Sequence, residues 1–149
     1  MSDLFSLNEI TVSYSHKTKP SSLPQISSSK DVYNLVYPSW MKDIEHRESF
    51  KILLLSRANR VLGISNLFTG GLSGVVVDAK LIFQTALKSH SSSLILLHNH
   101  PSGSLVASDT DQKLTKKIVE IGKLLDMPVL DHIIFTSESY LSMADEGLM

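Results

Sequence analysis

Two histidines one residue apart, His98 and His100, close an aliphatic run in LILLHNHPSGSLVASDTD, residues 94 to 111. On an extended segment residues two apart project from one face, so both imidazoles aim at one point. In isolation such a pair is more often hydrogen-bonded structure than a metal site. Its surroundings shift the balance. Pro101 and the Ser102-Gly103 pair force a turn directly after the histidines, and Ser108 and Asp111 share one face of the first turn of a helix. A carboxylate at Asp111 can then swing back to His98 and His100. Two neutral imidazoles and a carboxylate make a three-ligand site with an open fourth position, the arrangement of a catalytic rather than a structural zinc. The fourth ligand would be water, whose pKa such a metal lowers from about 15.7 to near 7. A general base would complete the set, and Glu48 is the candidate. Counting by twos, it lies on the face of Phe50, Ile52 and Leu54, where an unpartnered carboxylate is costly and an activated water would meet it. Glu45 is its nearest rival.

The elements that must position these groups are legible in outline. Residues 7 to 14, LNEITVSY, alternate as a strand. Residues 15 to 29 hold two prolines and six serines and suit a loop. SSKDVYNLVYPSW predicts a short helix capped by Ser28 or Ser29 and stopped by Pro38. ESFKILLLSRANRVLGI gives two apolar runs around the polar turn Ser56 to Asn59, a hairpin. Asp78 caps a helix that ends near His90, and LILL is a short buried strand. Ser108 then begins a helix with Leu114, Ile118, Ile121 and Leu125 at helical spacing and Lys113, Lys116, Lys117 and Lys123 as its solvated side. Pro128 follows its end, and VLDHIIF and SYLSM suggest a closing pair of strands. The expected class is α/β (α+β), a sheet flanked by helices, with no internal repeat.

The chain has 149 residues, a length that favours one domain with a core able to hold a rigid site. We expect residues 1–27 to form an N-terminal strand and Ser/Pro-rich loop, and 28–149 to form the functional domain. Fourteen Lys and Arg against 15 Asp and Glu leave a net charge of -1 with no basic stripe, so direct nucleic-acid binding is disfavoured. With no cysteine, disulfides, thiolate metal sites and a Cys nucleophile all drop out, and any metal must use N and O ligands. The start, MSDLFSLNEI, does not resemble a signal peptide, and no apolar run approaches the roughly 18 residues that span a bilayer. A cytoplasmic protein without a membrane partner is expected, and a homodimer is compatible with the sequence.

Glu48, then His98-Asn99-His100-Pro101, then Ser108-x-x-Asp111 resembles the JAMM motif of the JAB/MPN metalloprotease superfamily, E…H-x-H-P…S-x-x-D. The HNHPSG wording, the LDHIIF segment and ESFKILLLSRANRVLG are similar to the bacterial RadC-like branch, particularly its short Bacteroidetes versions, over roughly residues 28 to 149. The resemblance implies a JAB/MPN-like curved mixed β-sheet flanked by helices, with a cytidine-deaminase-like architecture. It implies one zinc per chain on His98, His100 and Asp111, Glu48 as base, and Ser108 as a hydroxyl that helps stabilise the oxyanion. In related enzymes the reaction is hydrolysis of an amide or isopeptide bond, so a peptide or protein substrate follows. Ala107 departs from the proline usual before the serine, and a slightly looser turn is expected there. Longer RadC proteins carry a helix-hairpin-helix module, which nothing in residues 1 to 45 resembles.

Asp131 and His132 match the family's wording at the start of a predicted strand; a structural role is favoured, and support of the metal ligands or of a substrate groove is the alternative. Ser108 would be a good helix N-cap whatever else it does, and Asp109 complements the helix dipole. His16, His46 and His90 are expected to face water. The TGGLSG segment, Thr69 to Gly74, lacks phosphate-loop spacing and reads as a turn that could border a substrate groove. The letters HNH do not make an HNH nuclease, a zinc deaminase would need cysteine ligands, and a 2-His-1-carboxylate iron site places its carboxylate near the first His. The expected function is a zinc hydrolase of JAMM type. The alternative is a DNA-repair or mobile-element-associated protein acting on or near DNA, its metal serving nuclease or structural purposes.

Overall fold

The computed structural model describes residues 7–70 and 76–149. Helix α1 (Ser29–Trp40) leads to the hairpin β1 (Ser49–Leu55) and β2 (Val61–Thr69). Helix α2 (Ala79–Lys88), strand β3 (Ser93–Asn99), helix α3 (Asp109–Leu124) and strands β4 (Val129–Phe135) and β5 (Tyr140–Ser142) follow. One mixed five-stranded sheet results, in the order β2-β1-β3-β4-β5. Only β3 and β4 run parallel, as strands joined by the helical connection α3 must be able to do.

The sheet is covered on both faces, which explains why β1 and β3 read as continuous apolar runs rather than alternating ones. Leu53, Leu55, Ile95, Leu97, Ile133 and Phe135 meet α1 through Val32, Val36 and Trp40. Phe50, Ile52, Leu54, Leu94 and Leu96 point the other way, against Ile82, Phe83 and Ala86 of α2 and Ile118 of α3. His98 pairs opposite Phe50 and belongs to this second face, at the end of the strand where the packed core stops.

Two expectations are corrected. Residues 7–14 form no strand, and all of them are exposed. Alternation supplies an apolar face, but a strand also needs a neighbour for its N–H and C=O groups, and this segment meets none among the described residues. The first helix does not stop at Pro38 but continues to Trp40. Proline removes one helical hydrogen bond, yet here it sits in the last turn, and Trp40, 1% exposed, anchors that turn in the core. The Lys51 ammonium lies 4.2 Å from the centre of the Trp40 ring. No helix among the described residues is long and apolar enough to cross a membrane.

Candidate metal centre

Three short-range devices aim the candidate ligands. The first is β3, whose final residues place His98 on the α3 face and Asn99 on the other. The second is the turn after it. The His100 N–H donates to the Phe135 carbonyl at 2.9 Å and the Gly103 N–H donates back to the His100 carbonyl at 3.0 Å. Gly103 has φ +85°, a conformation that suits glycine. The loop thereby brings the Ser104 carbonyl to 2.8 Å from His100 Nδ1. The third is the α3 capping box. Ser108 Oγ accepts the Asp111 N–H and Asp111 Oδ2 accepts the Ser108 N–H, both at 3.0 Å.

These devices converge. Asp111 Oδ1 lies 3.3 Å from His98 Nε2, Asp111 Oδ2 lies 3.2 Å from His100 Nε2, and the two Nε2 atoms are 2.9 Å apart. Among the described residues, His98, His100 and Asp111 form a group whose ligand atoms all lie within 4.8 Å of one another. They open on a cleft of about 500 Å³ lined also by Glu48, Ser108, Phe50, Val77, Val106 and Leu114.

A search against family models matches residues 26–148 to the RadC-like JAB domain. The chain belongs to the RadC-like JAB family. Among curated relatives, a UPF0758 protein of Flavobacterium johnsoniae is 41% identical over 126 residues, covering 85% of this chain and 54% of the relative. A UPF0758 protein of Methanosarcina mazei is 41% identical over 125 residues, covering 84% and 54% respectively, and one of Syntrophomonas wolfei is 35% identical over 126 residues. The chain thus spans about half the length of the curated relatives it matches.

In this RadC-like JAB chain the donor set itself calls for a cation. His100 Nδ1 faces a carbonyl, which only accepts, so Nδ1 carries the hydrogen and the neutral ring offers a lone pair at Nε2. Asp111 likewise offers only lone pairs. Acceptors converging at 2.9–3.3 Å repel one another unless something positive lies between them. A divalent metal ion fits the two nitrogens and the carboxylate; a proton is its competitor. Burial by itself pushes the Asp111 carboxyl up, but the His100 and His98 imidazoles beside it and the Ser108 backbone N–H hold it well below the usual carboxylate range. His100 is raised, chiefly by its bond to Asp111.

A pH dependence follows. A histidine raised in the folded state stabilises the metal-free chain below its unfolded pKa of about 6.5 and loses that contribution as pH rises through the folded value. Asp111, depressed, contributes above its unfolded pKa of about 3.9 and loses it as pH falls through the lower folded value. Metal must displace the His100 proton, so the stabilisation that zinc gives should grow between pH 6 and pH 8. Melting curves with and without zinc at several pH values check this; a zinc shift independent of pH would contradict it.

Glu48 directly precedes β1, half-buried at the cleft, and its carbonyl accepts the Gly70 N–H at 2.8 Å. Glu45 is exposed and does not line the cleft. Ser108 caps α3 through its lone pair, which leaves its hydrogen to donate. Asp109 is exposed in the first helical turn, and His16, His46 and His90 are exposed. Of the TGGLSG segment, Thr69 ends β2, and residues 71–74 lie outside the described residues.

The pair Asp131 and His132 separates. Asp131 turns away from the cluster, accepting from Ser142 Oγ at 2.5 Å and from the His132 and Ala144 N–H groups at 2.7 and 3.0 Å. Burial pushes its carboxyl up, and its role is to fasten the C-terminal segment to β4. His132 turns toward the cluster, its Nε2 lying 2.7 Å from His98 Nδ1. Burial lowers its pKa well below the usual value and keeps it neutral.

Sequence reasoning passed over two residues. Asn99 is fully buried between the two histidines. Its Nδ2 donates to the Ile44 and Arg47 carbonyls at 2.7 and 2.9 Å, and its Oδ1 accepts the Ser49 N–H at 2.7 Å. It therefore ties the segment carrying Glu48 to the strand carrying His98. The signal was a polar side chain on a strand buried on both faces. Asn99→Ala leaves those buried backbone groups unpaired and should lower stability by at least about 1–3 kcal/mol. Urea denaturation measures it; a loss below about 0.5 kcal/mol, the range of ordinary surface changes, would contradict this role. The second residue is Thr115, one helical turn beyond Asp111, whose Oγ1 lies 2.5 Å from His132 Nδ1.

Proposed function

We propose that this chain is a zinc-dependent hydrolase of JAMM type that cleaves an amide or peptide bond in an extended polypeptide. The observation that carries this is a half-buried glutamate on the same open cleft as two histidines and a carboxylate, with no fourth protein ligand in that group among the described residues. Membership of the RadC-like JAB family supports it. Bound zinc would supply Lewis acidity, polarising a carbonyl and bringing the pKa of water from about 15.7 toward 7.

The remaining work falls to the chain. His98, His100 and Asp111 would hold the ion, while Glu48 takes a proton from the attacking water and returns it to the leaving amine. Ser108 donates its hydroxyl hydrogen to the oxygen on which negative charge develops. Phe50, Val77, Val106 and Leu114 give the cleft an apolar wall that excludes water from part of it. Nickel and copper bind such donor sets as well, and availability selects zinc. The net charge of -1 favours a peptide over a phosphate backbone.

The test incubates zinc-loaded and chelator-stripped protein with labelled peptide mixtures and with single- and double-stranded DNA. Zinc-dependent peptide cleavage is the expected result. Zinc-dependent DNA cleavage with intact peptides would replace the amide reading by a nuclease one, and no turnover of either with zinc bound would favour an accessory role.

A further inference from the structure

We propose that His132 and Thr115 are positioning residues that fix the ring hydrogen of His98 on Nδ1, so that its Nε2 lone pair always faces the metal position. The inference rests on the metal-site reading above and adds to it a pair of residues that touch no metal.

The direction of the chain of hydrogen bonds follows from its far end. Thr115 Oγ1 lies 2.7 Å from the Asp111 carbonyl oxygen, which can only accept, so the hydroxyl hydrogen goes there. The other nearby acceptor, Met143 Sδ at 3.6 Å, is a weak one. Having donated, the Thr115 oxygen must accept from His132 Nδ1 at 2.5 Å, which places the His132 hydrogen on Nδ1. A neutral His132 then presents a lone pair at Nε2, and only a hydrogen on His98 Nδ1 satisfies the 2.7 Å contact between them. With Nδ1 protonated, the neutral His98 ring has its lone pair at Nε2, facing Asp111 and His100.

The network is buried throughout. Thr115 is 2% exposed and His132 0%, so bulk water is poorly placed to replace a lost partner. It starts on one ligand and ends on the main chain of another, since the final carbonyl belongs to Asp111. Phe50 holds the rings in place: its centroid lies 6.2 Å from that of His98, nearly parallel at 17°, and 5.7 Å from that of His132, edge-on. His100 reaches the same tautomer by a simpler device, the Ser104 carbonyl. A carbonyl enforces it directly, whereas a histidine partner enforces it only if its own tautomer is fixed, and Thr115 fixes it.

Thr115→Val is the informative variant, because valine keeps the shape and removes the hydroxyl. His132 then has no acceptor for Nδ1–H and is free to carry its hydrogen on Nε2, pushing that of His98 toward its own Nε2. The first readout is long-range proton–nitrogen NMR of metal-free protein, which assigns ring hydrogens. Wild type should show His98 protonated on Nδ1, and Thr115→Val should show a mixture. The second is zinc affinity by competition with a chromogenic chelator. Loss of partners that orient ligands typically weakens binding by about 10- to 100-fold, and that range is expected for Thr115→Val and His132→Leu. His132→Gln, which retains an acceptor and a donor, should fall nearer wild type. His98 protonated on Nε2 in metal-free wild type, or Thr115→Val folded with unchanged tautomer and zinc affinity, would overturn the proposal. If wild type took up no zinc, the metal reading would fall, while the tautomer spectra would still decide the network.

Discussion

Glu48→Gln should leave the fold and the zinc content as they are and lower turnover by about 10²- to 10⁴-fold, the usual contribution of a general base. Glutamine has the shape of glutamate but cannot take a proton. Glu48 lines the cleft without belonging to the group of ligand atoms, so the metal should not notice the change. Its backbone is pinned independently of its side chain by the Gly70 N–H on its carbonyl and by Asn99 on the neighbouring Ser49 N–H. The kinetic signature should be a fall in kcat with KM little altered. Turnover that survives the substitution would remove Glu48 from the role of base, and a simultaneous loss of zinc would make it a ligand instead.

Asp111→Ala should have two effects that separate experimentally. The carboxylate faces both histidine Nε2 atoms and also accepts the Ser108 N–H in the capping box. On the metal-site reading, removing it takes one of three ligands from the metal, and in any case it takes one acceptor from the start of α3. Loss of a cap typically lowers stability by about 1 kcal/mol, visible in the metal-free protein, and loss of the ligand should abolish retention of zinc through a chelating column. Asp111→Asn should restore part of the cap, since an amide oxygen still accepts, but little of the metal binding, because the negative charge is gone. Should Asp111→Asn bind zinc as wild type does, the carboxylate would not be a ligand.

The grouping of His98, His100 and Asp111 was readable because their spacing is a geometric statement. Two residues apart on a strand, and Ser and Asp three apart at a helix start, fix faces without knowledge of the fold. Glu48 was harder, being distant in sequence; parity along β1 pointed to the face of Phe50, and the two line the same cleft. What the sequence concealed lies where a local pattern needs a tertiary partner to mean anything. The alternation in residues 7–14 met no neighbouring strand among the described residues, and the anchoring of Trp40 carried α1 past a proline that propensity would have made its end. Asp131 and His132 are adjacent and polar, so sequence treats them as a pair, yet opposite faces of β4 send one to the C-terminal segment and the other to His98. Thr115 gave no signal by itself, since a threonine in a helix commonly bonds back to the carbonyl four residues earlier; only the position of His132 turns that bond into a relay.

The most direct test of the central claim is metal content by elemental mass spectrometry on untagged protein prepared without chelator, with His98→Ala and Asp111→Ala beside it. The account predicts about one zinc per chain in wild type, as expected of a three-ligand site, and its loss in both variants. Little metal in folded wild type even after zinc is supplied, or zinc retained by both variants, would contradict it.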